Sequence, residues 1–467
     1  MNGDKAQPLS WRRALPVVAL TVAGFALTLR VFYPGVMTWD ATYVYSYIAA
    51  GRAGDWQSPL MTALWAVIDP IAPGSGSMFL LIAAVYWLAF ATLALAVARR
   101  SPWLGPVAVM LALAPPAFAF VGMIWRDVLL AGSWLLAAAL ALAVAGRYGV
   151  WRVVAQALAL ALLAFGFLLR PNALFAAPIL AAYVVWPERF DLKRAAFLYV
   201  PAAAALALLV PLVYYGLLGA KHETPLHAIF VFDLAGITHF TKENQFPVTW
   251  TADESALLTE RCYQPTDFDN YWTRQPCLFV MQKLEQEKVF GSPALTEAWL
   301  RALLHHPVAY LEHRTAVTAN FLMSQNQTIW TVDVADPERP VLENNSWYAA
   351  LKTVHDALLP TGLFRAGTWL LLCLVWSVLG WRRRATPAGA FRVGTSGSAV
   401  IYMATFFPAG VAGDFRYALW AVLAGLAGFV VFAGRPADYP DPRAARVRSP
   451  LSPGRIWPNL SDVGKPS

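Results

Sequence analysis

The segment Gly76–Ala98, GSMFLLIAAVYWLAFATLALAVA, carries no charged side chain and is dominated by residues that favour helices. As an α-helix rising ~1.5 Å per residue it is long enough to cross ~30 Å of hydrocarbon. Comparable runs occur near 14–33, 103–121, 128–146, 153–169, 171–186, 195–219, 361–380, 395–412 and 416–434. The fold class read from them is an all-α polytopic membrane protein with about ten transmembrane helices. Composition agrees: 58% of the 467 residues are hydrophobic and 14% charged, against about 25% charged in a soluble domain. The alternation of a membrane β-barrel is absent. The net charge of +8 does not indicate nucleic acid, because the basic residues flank the apolar runs. The first run lacks a convincing cleavage site, so a removable signal peptide is not expected.

Lysine and arginine set the expected orientation. With the N-terminus inside, the inner segments hold Lys5, Arg12, Arg13, Arg99, Arg100, Arg147, Arg152, Arg189, Lys193, Arg194, Arg382, Arg383, Arg384, Arg392 and six more from Arg435 onward. That is 20 of the 36 basic residues. The short outer loops hold Arg52, Arg126, Arg170 and Arg416. The asymmetry predicts both termini in the cytoplasm, and it makes those four arginines conspicuous.

The expected organisation is a transmembrane module over 1–219 with a functional outer loop at 34–75. An extracytoplasmic, mostly helical domain follows at 220–360, then a second transmembrane module at 361–434 and a disordered cytoplasmic tail at 435–467. The 220–360 segment contains all seven histidines, and Cys262 and Cys277, which an oxidising compartment would permit to pair. Cys373, inside an apolar run, reads as a packing residue. The 34–75 loop is itself helical in pattern: Thr38 to Ala50, with Thr38 as N-cap, then Ser58-Pro59 to Ile68 with a cap and a first-turn proline. Asp40, Tyr43 and Tyr47 share one face of the first of these. Both read as helices lying in the membrane interface.

Polar residues gather at the outer ends of several spans. Asp40 and Asp55 lie in the first loop, Arg126-Asp127 in the second, Arg170-Pro171-Asn172 after the fifth span, and Asp414-Phe415-Arg416 before the last. Ionisable groups at membrane depth are costly and mark cavities or partners. The plainer interpretation is Asp–Arg pairing that holds helices together. The functional one is a carboxylate that removes a proton from an acceptor hydroxyl, with arginines that bind a phosphate and stabilise the leaving group.

With those motifs in hand, the chain resembles the GT-C membrane glycosyltransferases that use polyprenyl-phosphate sugars, in particular bacterial members. The resemblance is carried by Trp39-Asp40, Asp55-Trp56-Gln57-Ser58-Pro59-Leu60, Trp125-Arg126-Asp127, Arg170-Pro171-Asn172, Asp414-Phe415-Arg416-Tyr417 and His306-Pro307-Val308-Ala309-Tyr310-Leu311 with His313-Arg314. It covers most of 14–434. It implies Asp40 as base, Asp55 or Asp127 as second acid, and Arg170 and Arg416 on the phosphate. Arg126, Asn172, Asp414, Tyr43, Gln57 and His306 complete the implied substrate contacts. Many members have His-Pro where this chain has Gln57-Ser58-Pro59. The implied partners are a polyprenyl-phosphate sugar and a glycan, lipid or protein acceptor, at the outer face of a bacterial inner membrane. Some relatives use a divalent cation, for which Asp40 and Asp127 are candidates.

Two rival functions remain at this stage: a flippase or transporter of lipid-linked sugars, and a surface-polysaccharide polymerase or ligase. No internal repeat of the transporter kind is evident. His305-His306 is a poor metal site, since adjacent residues point to different faces. Asn326-Gln327-Thr328 and Asn344-Asn345-Ser346 match the N-glycosylation pattern, which is common by chance.

Overall fold

The computed structural model describes residues 10–99, 101–266, 268–324, 329 and 342–433. The expected disordered tail and the Asn326-Gln327-Thr328 site lie outside the described residues. Within them the chain is helical, with two isolated parallel bridges, Val36 with Met123 and Gly54 with Lys221, and no sheet.

The chain runs through α1 (Trp11–Phe32), α2 (Trp39–Ala49), α3 (Pro59–Ile68), α4 (Ser75–Ala98), α5 (Leu104–Leu111), α6 (Arg126–Val144), α7 (Val150–Leu169), α8 (Ala177–Val185) and α9 (Leu192–Pro211). It continues through α10 (Leu226–Thr241), α11 (Pro293–His305), α12 (Pro307–Met323), α13 (Ser346–Leu358), α14 (Ala366–Arg382), α15 (Pro387–Ala404) and α16 (Leu419–Ala433). Among the described residues, 6 helical stretches are long and apolar enough to cross a membrane: Trp11–Phe32, Ser75–Ala98, Arg126–Val144, Val150–Leu169, Leu192–Leu217 and Phe415–Ala433. The protein is an all-α polytopic membrane protein.

The other expected spans occur in shorter or interrupted form, and proline explains most of this. The 103–121 run stops as α5 at Leu111, and only the turn Pro115–Phe118 follows. Pro115-Pro116 supplies no N–H and cannot continue a helix. The 171–186 run is a tight turn, Pro171–Phe175, followed by the 9 residues of α8. The expected 395–412 helix begins earlier, at Pro387, because the Thr386 hydroxyl accepts from Gly389 N at 3.2 Å and Pro387 occupies the first turn. The two helices expected in the first loop are present as α2 and α3. Thr38 has the extended backbone of an N-cap, but its hydroxyl does not cap. It accepts instead from the Trp125 indole at 2.8 Å, which ties the first loop to the second.

Close helix approach rests on small residues facing large ones. The Trp87 ring fills the space a Cβ on Gly24 would need, and Trp134 does the same at Gly166. Both indoles are satisfied, Trp87 by Thr28 Oγ1 at 2.8 Å and Trp134 by Leu163 O at 3.1 Å. One end of the bundle is basic. There Arg13 donates to Arg99 O, Arg99 donates to Ala143 O, and Arg152 pairs with Glu188 at 2.5 Å. The loops bearing the candidate site residues meet at the other end.

A second hydrophobic core, drawn from residues between Val231 and Val317, stands apart from the bundle core. Cys262 and Cys277 are bridged inside it, with Cα atoms 5.4 Å apart. Phe321, Tyr348 and Phe364 belong to the bundle core instead. Cys373 is buried and its thiol donates to Ala421 O at 3.3 Å, as a packing residue would.

Candidate active site

Three loops and one helix end are laced together before any charged group is placed. Val36 N donates to Gly122 O at 2.9 Å and Ile124 N to Val36 O at 3.1 Å, joining the first and second loops. The Leu168 carbonyl, at the end of α7, accepts from Ser58 Oγ at 2.9 Å and from the Tyr214 hydroxyl. Ser58 therefore fixes the start of α3 to the residues leading into Arg170. Lys221 N donates to Ala53 O at 2.8 Å and Asp55 N to Lys221 O at 3.1 Å, closing the first loop against the segment after α9.

Six charged side chains meet on this frame. Asp40, in the first turn of α2, accepts from Gln57 Nε2 at 2.9 Å and pairs through its other oxygen with Arg416. Arg416 also reaches Asp414 Oδ2 through Nε at 2.7 Å, and its own backbone N–H is capped by Asp414 Oδ1 at 3.0 Å. Its guanidinium lies 5.0 Å from the Trp125 ring and 5.3 Å from that of Tyr417. Arg170 grips one oxygen of Asp127 through Nε at 2.7 Å and a terminal nitrogen at 2.6 Å, and stacks on Tyr417 at 4.7 Å. Both Arg170 and Arg416 thus lie within cation–π distance of the Tyr417 ring. Arg126 lies near Arg170, Asp127 and Asp40, yet makes no hydrogen bond or ion pair among the described residues.

Exposure divides the carboxylates. The Asp40 side chain is 34% exposed, whereas Asp127 is 3% exposed. Burial pushes the Asp40 carboxyl up, but Arg416, Arg126 and Arg170 outweigh it and hold it below the usual carboxylate range. Asp40 is therefore ionised at neutral pH, accessible, and oriented by two partners.

Asp55 and Tyr43 are nearby but engaged elsewhere. Asp55 accepts from the Tyr215 hydroxyl at 2.8 Å and from Glu223 N at 2.7 Å. Tyr43 donates to Glu223 Oε2 at 2.5 Å, and Tyr47 donates to Oε1. Glu223 also accepts from Trp56 N at 3.1 Å. Burial raises its carboxyl, yet the Tyr43 and Tyr47 hydroxyls prevail and lower it. Sequence reading missed Glu223, since nothing in its own neighbourhood marks it. The one-face spacing of Tyr43 and Tyr47 pointed to a shared partner without naming it.

Gln57, from the start of the segment that leads into α3, orients Asp40 through its Nε2 donor. Asn172 sits in the turn beside Arg170, and its side chain makes no hydrogen bond among the described residues. His306 is not brought into the cluster; it joins α11 to α12 at the second core. Its neighbours His313 and Arg314 carry the polar chemistry of that region instead. Asp40 and Asp127, the candidate cation ligands, each hold a guanidinium, Arg416 and Arg170 respectively. No group of three potential metal ligands occurs among the described residues.

No family model matches the sequence, and no curated protein sequence matches it. A solved structure that resembles it is the archaeal oligosaccharyltransferase AglB from Archaeoglobus fulgidus, in complex with an inhibitory peptide and a dolichol-phosphate. The TM-score is 0.39 and the identity 12%, over 90% of this chain and 50% of that one. The chain thus spans half the length of AglB.

Proposed function

We propose that the protein is a membrane glycosyltransferase of the GT-C kind. It would move a sugar from a polyprenyl-phosphate donor to an acceptor hydroxyl at the extracytoplasmic face. The observation that carries this reading is the juxtaposition of an accessible, ionised Asp40 with Arg416 and the unpartnered Arg126. In this mechanism Asp40 takes the proton of the acceptor hydroxyl. The acceptor oxygen forms a bond to the anomeric carbon, and the bond from that carbon to the phosphate oxygen breaks with inversion. The electron pair leaves on the lipid phosphate, which stays anionic and needs no acid. Arg126 and Arg416 stabilise that charge, and Asp127 serves to aim Arg170 at the same place.

An apolar groove of about 540 Å³, lined among others by Phe190, Tyr199, Val393 and Ile401, opens between α8, α9, α14 and α15. The Tyr199 hydroxyl in its wall donates to Phe175 O at 3.0 Å, in the turn that carries Asn172 next to Arg170. A prenyl chain in the groove would place its phosphate toward Arg170.

The reading is tested by reconstituting the protein in vesicles with a labelled polyprenyl-phosphate sugar and candidate acceptors. The expected result is a new glycosidic product without movement of the lipid across the bilayer. Movement without bond formation would replace this reading with that of a lipid-sugar transporter.

A further inference from the structure

The backbone stretch 410–413, which leads directly into Asp414 and Arg416, is held from the side of the second core. Arg314 NH1 donates to Gly410 O at 2.7 Å. Phe268 N donates to Val411 O at 3.0 Å, and Gly413 N donates to Thr266 O at 2.7 Å. Gly413 also has no room for a side chain, because the Asn320 carboxamide occupies the place of its Cβ. Each anchor is itself fixed. Thr266 and Phe268 lie in the segment closed by the Cys262–Cys277 bridge. Arg314 is fully buried and paired with Asp233 at 2.6 Å; Asp233 further accepts from the Trp299 indole at 2.8 Å and faces His313 Nε2 at 3.2 Å. Tyr263 completes the set through His313 Nδ1 at 3.0 Å.

A buried ion pair is weak evidence for stability, because desolvation offsets the attraction. A fully buried Asp–Arg pair that spends one of its donors on a loop carbonyl is better explained by the position it imposes. We infer that Asp233 and Arg314 are positioning residues: they clamp the 410–413 stretch and so set where Arg416 meets Asp40. The second core would thereby sense or support the active site through one short backbone segment. The positional part stands on the hydrogen bonds alone. Its consequence for a lipid phosphate rests on the function proposed above.

The test uses the full-length protein in detergent and the double variant Asp233→Asn/Arg314→Met, which removes both buried charges together. Hydrogen–deuterium exchange of peptides covering 408–418 is measured beside thermal stability and farnesyl phosphate binding. The clamp predicts exchange in that stretch faster by about tenfold or more, as loss of a charge-assisted hydrogen bond allows, with α4 and α6 unchanged. Gly413→Ala, which loosens the same stretch from the Asn320 side, should reproduce the effect and serves if the double variant does not fold. Unchanged exchange at 408–418 in a folded variant overturns the clamp. Faster exchange with weakened farnesyl phosphate binding supports both clamp and phosphate site. Faster exchange with unaltered binding keeps the clamp and removes the phosphate role of Arg416.

Discussion

Asp40 and Asp127 are both acids beside an arginine, and replacing each by asparagine should have opposite consequences. Asp127 is 3% exposed and its partner Arg170 is 11% exposed. Asp127→Asn leaves that guanidinium buried without its counter-charge, a loss of about 3–5 kcal/mol. The stack on Tyr417 at 4.7 Å is made with either side chain at 127 and leaves that loss standing. Asp40 is 34% exposed, and Arg416 keeps Asp414 at 2.7 Å, so Asp40→Asn should cost under ~1 kcal/mol. If Asp40 is the base, its loss lowers turnover by about 10²–10⁴-fold. The assay pairs thermal unfolding of the solubilised protein with transfer from a labelled polyprenyl-phosphate sugar. Asp40→Asn should be folded and inactive, and Asp127→Asn should be unstable. A fully active Asp40→Asn refutes the base assignment. Equal stabilities for the two variants refute the division of roles by burial.

Arg126→Met should leave stability unchanged, since Arg126 has no partner to strand, while farnesyl phosphate binding measured by calorimetry weakens about tenfold or more. Replacing Cys262 and Cys277 by serine opens a closure with sequence separation 15. About 3 kcal/mol is expected from chain entropy for that length, seen as earlier thermal unfolding and earlier proteolysis of the 231–317 core. Burial holds His227, His239 and His313 below the ordinary imidazole range. Between that range and the lowered folded values the unfolded chain binds more protons, so stability rises with pH. Acidifying from about pH 7.5 to about 5.5 should therefore lower the stability by at most ~1.4 kcal/mol per histidine per pH unit, read as a fall in melting temperature. His313→Gln should flatten that dependence.

The spans and the first-loop helices were legible because they depend on local pattern: apolar length, a proline at the first turn of α3, glycine after α2. Where local pattern failed, a backbone rule had intervened, as at Pro115-Pro116 and at Thr386-Pro387. The site was legible to the extent that its residues break the rule for charge placement. Arg126, Arg170 and Arg416 all stood against the topology, and the structure brings them together. Arg52, the fourth, instead covers the Tyr47 ring at 5.3 Å. Partner choice was not legible. Nothing in the spacing says that Asp127 takes Arg170 while Asp40 takes Arg416, a contact across 376 positions of chain. Glu223 and Asp233 escaped notice for the same reason, since their hydroxyl, indole and guanidinium partners lie far along the sequence.

Counting charges in the cluster gives the proposed mechanism a sequence of events. Asp127 is committed to Arg170, and Asp40 shares Arg416 with Asp414. Arg126 is the cation left over. An arriving lipid phosphate would meet Arg126 first, at no cost of breaking a pair. It would then compete with Asp40 for Arg416, which can turn toward the phosphate while Asp414 keeps hold of its Nε. Losing Arg416 raises the proton affinity of Asp40, because the largest opposing influence on its burial is removed. The base would thus be weak while the site is empty and stronger once the donor is bound. Gln57, still donating to the other oxygen, would keep it aimed at the acceptor.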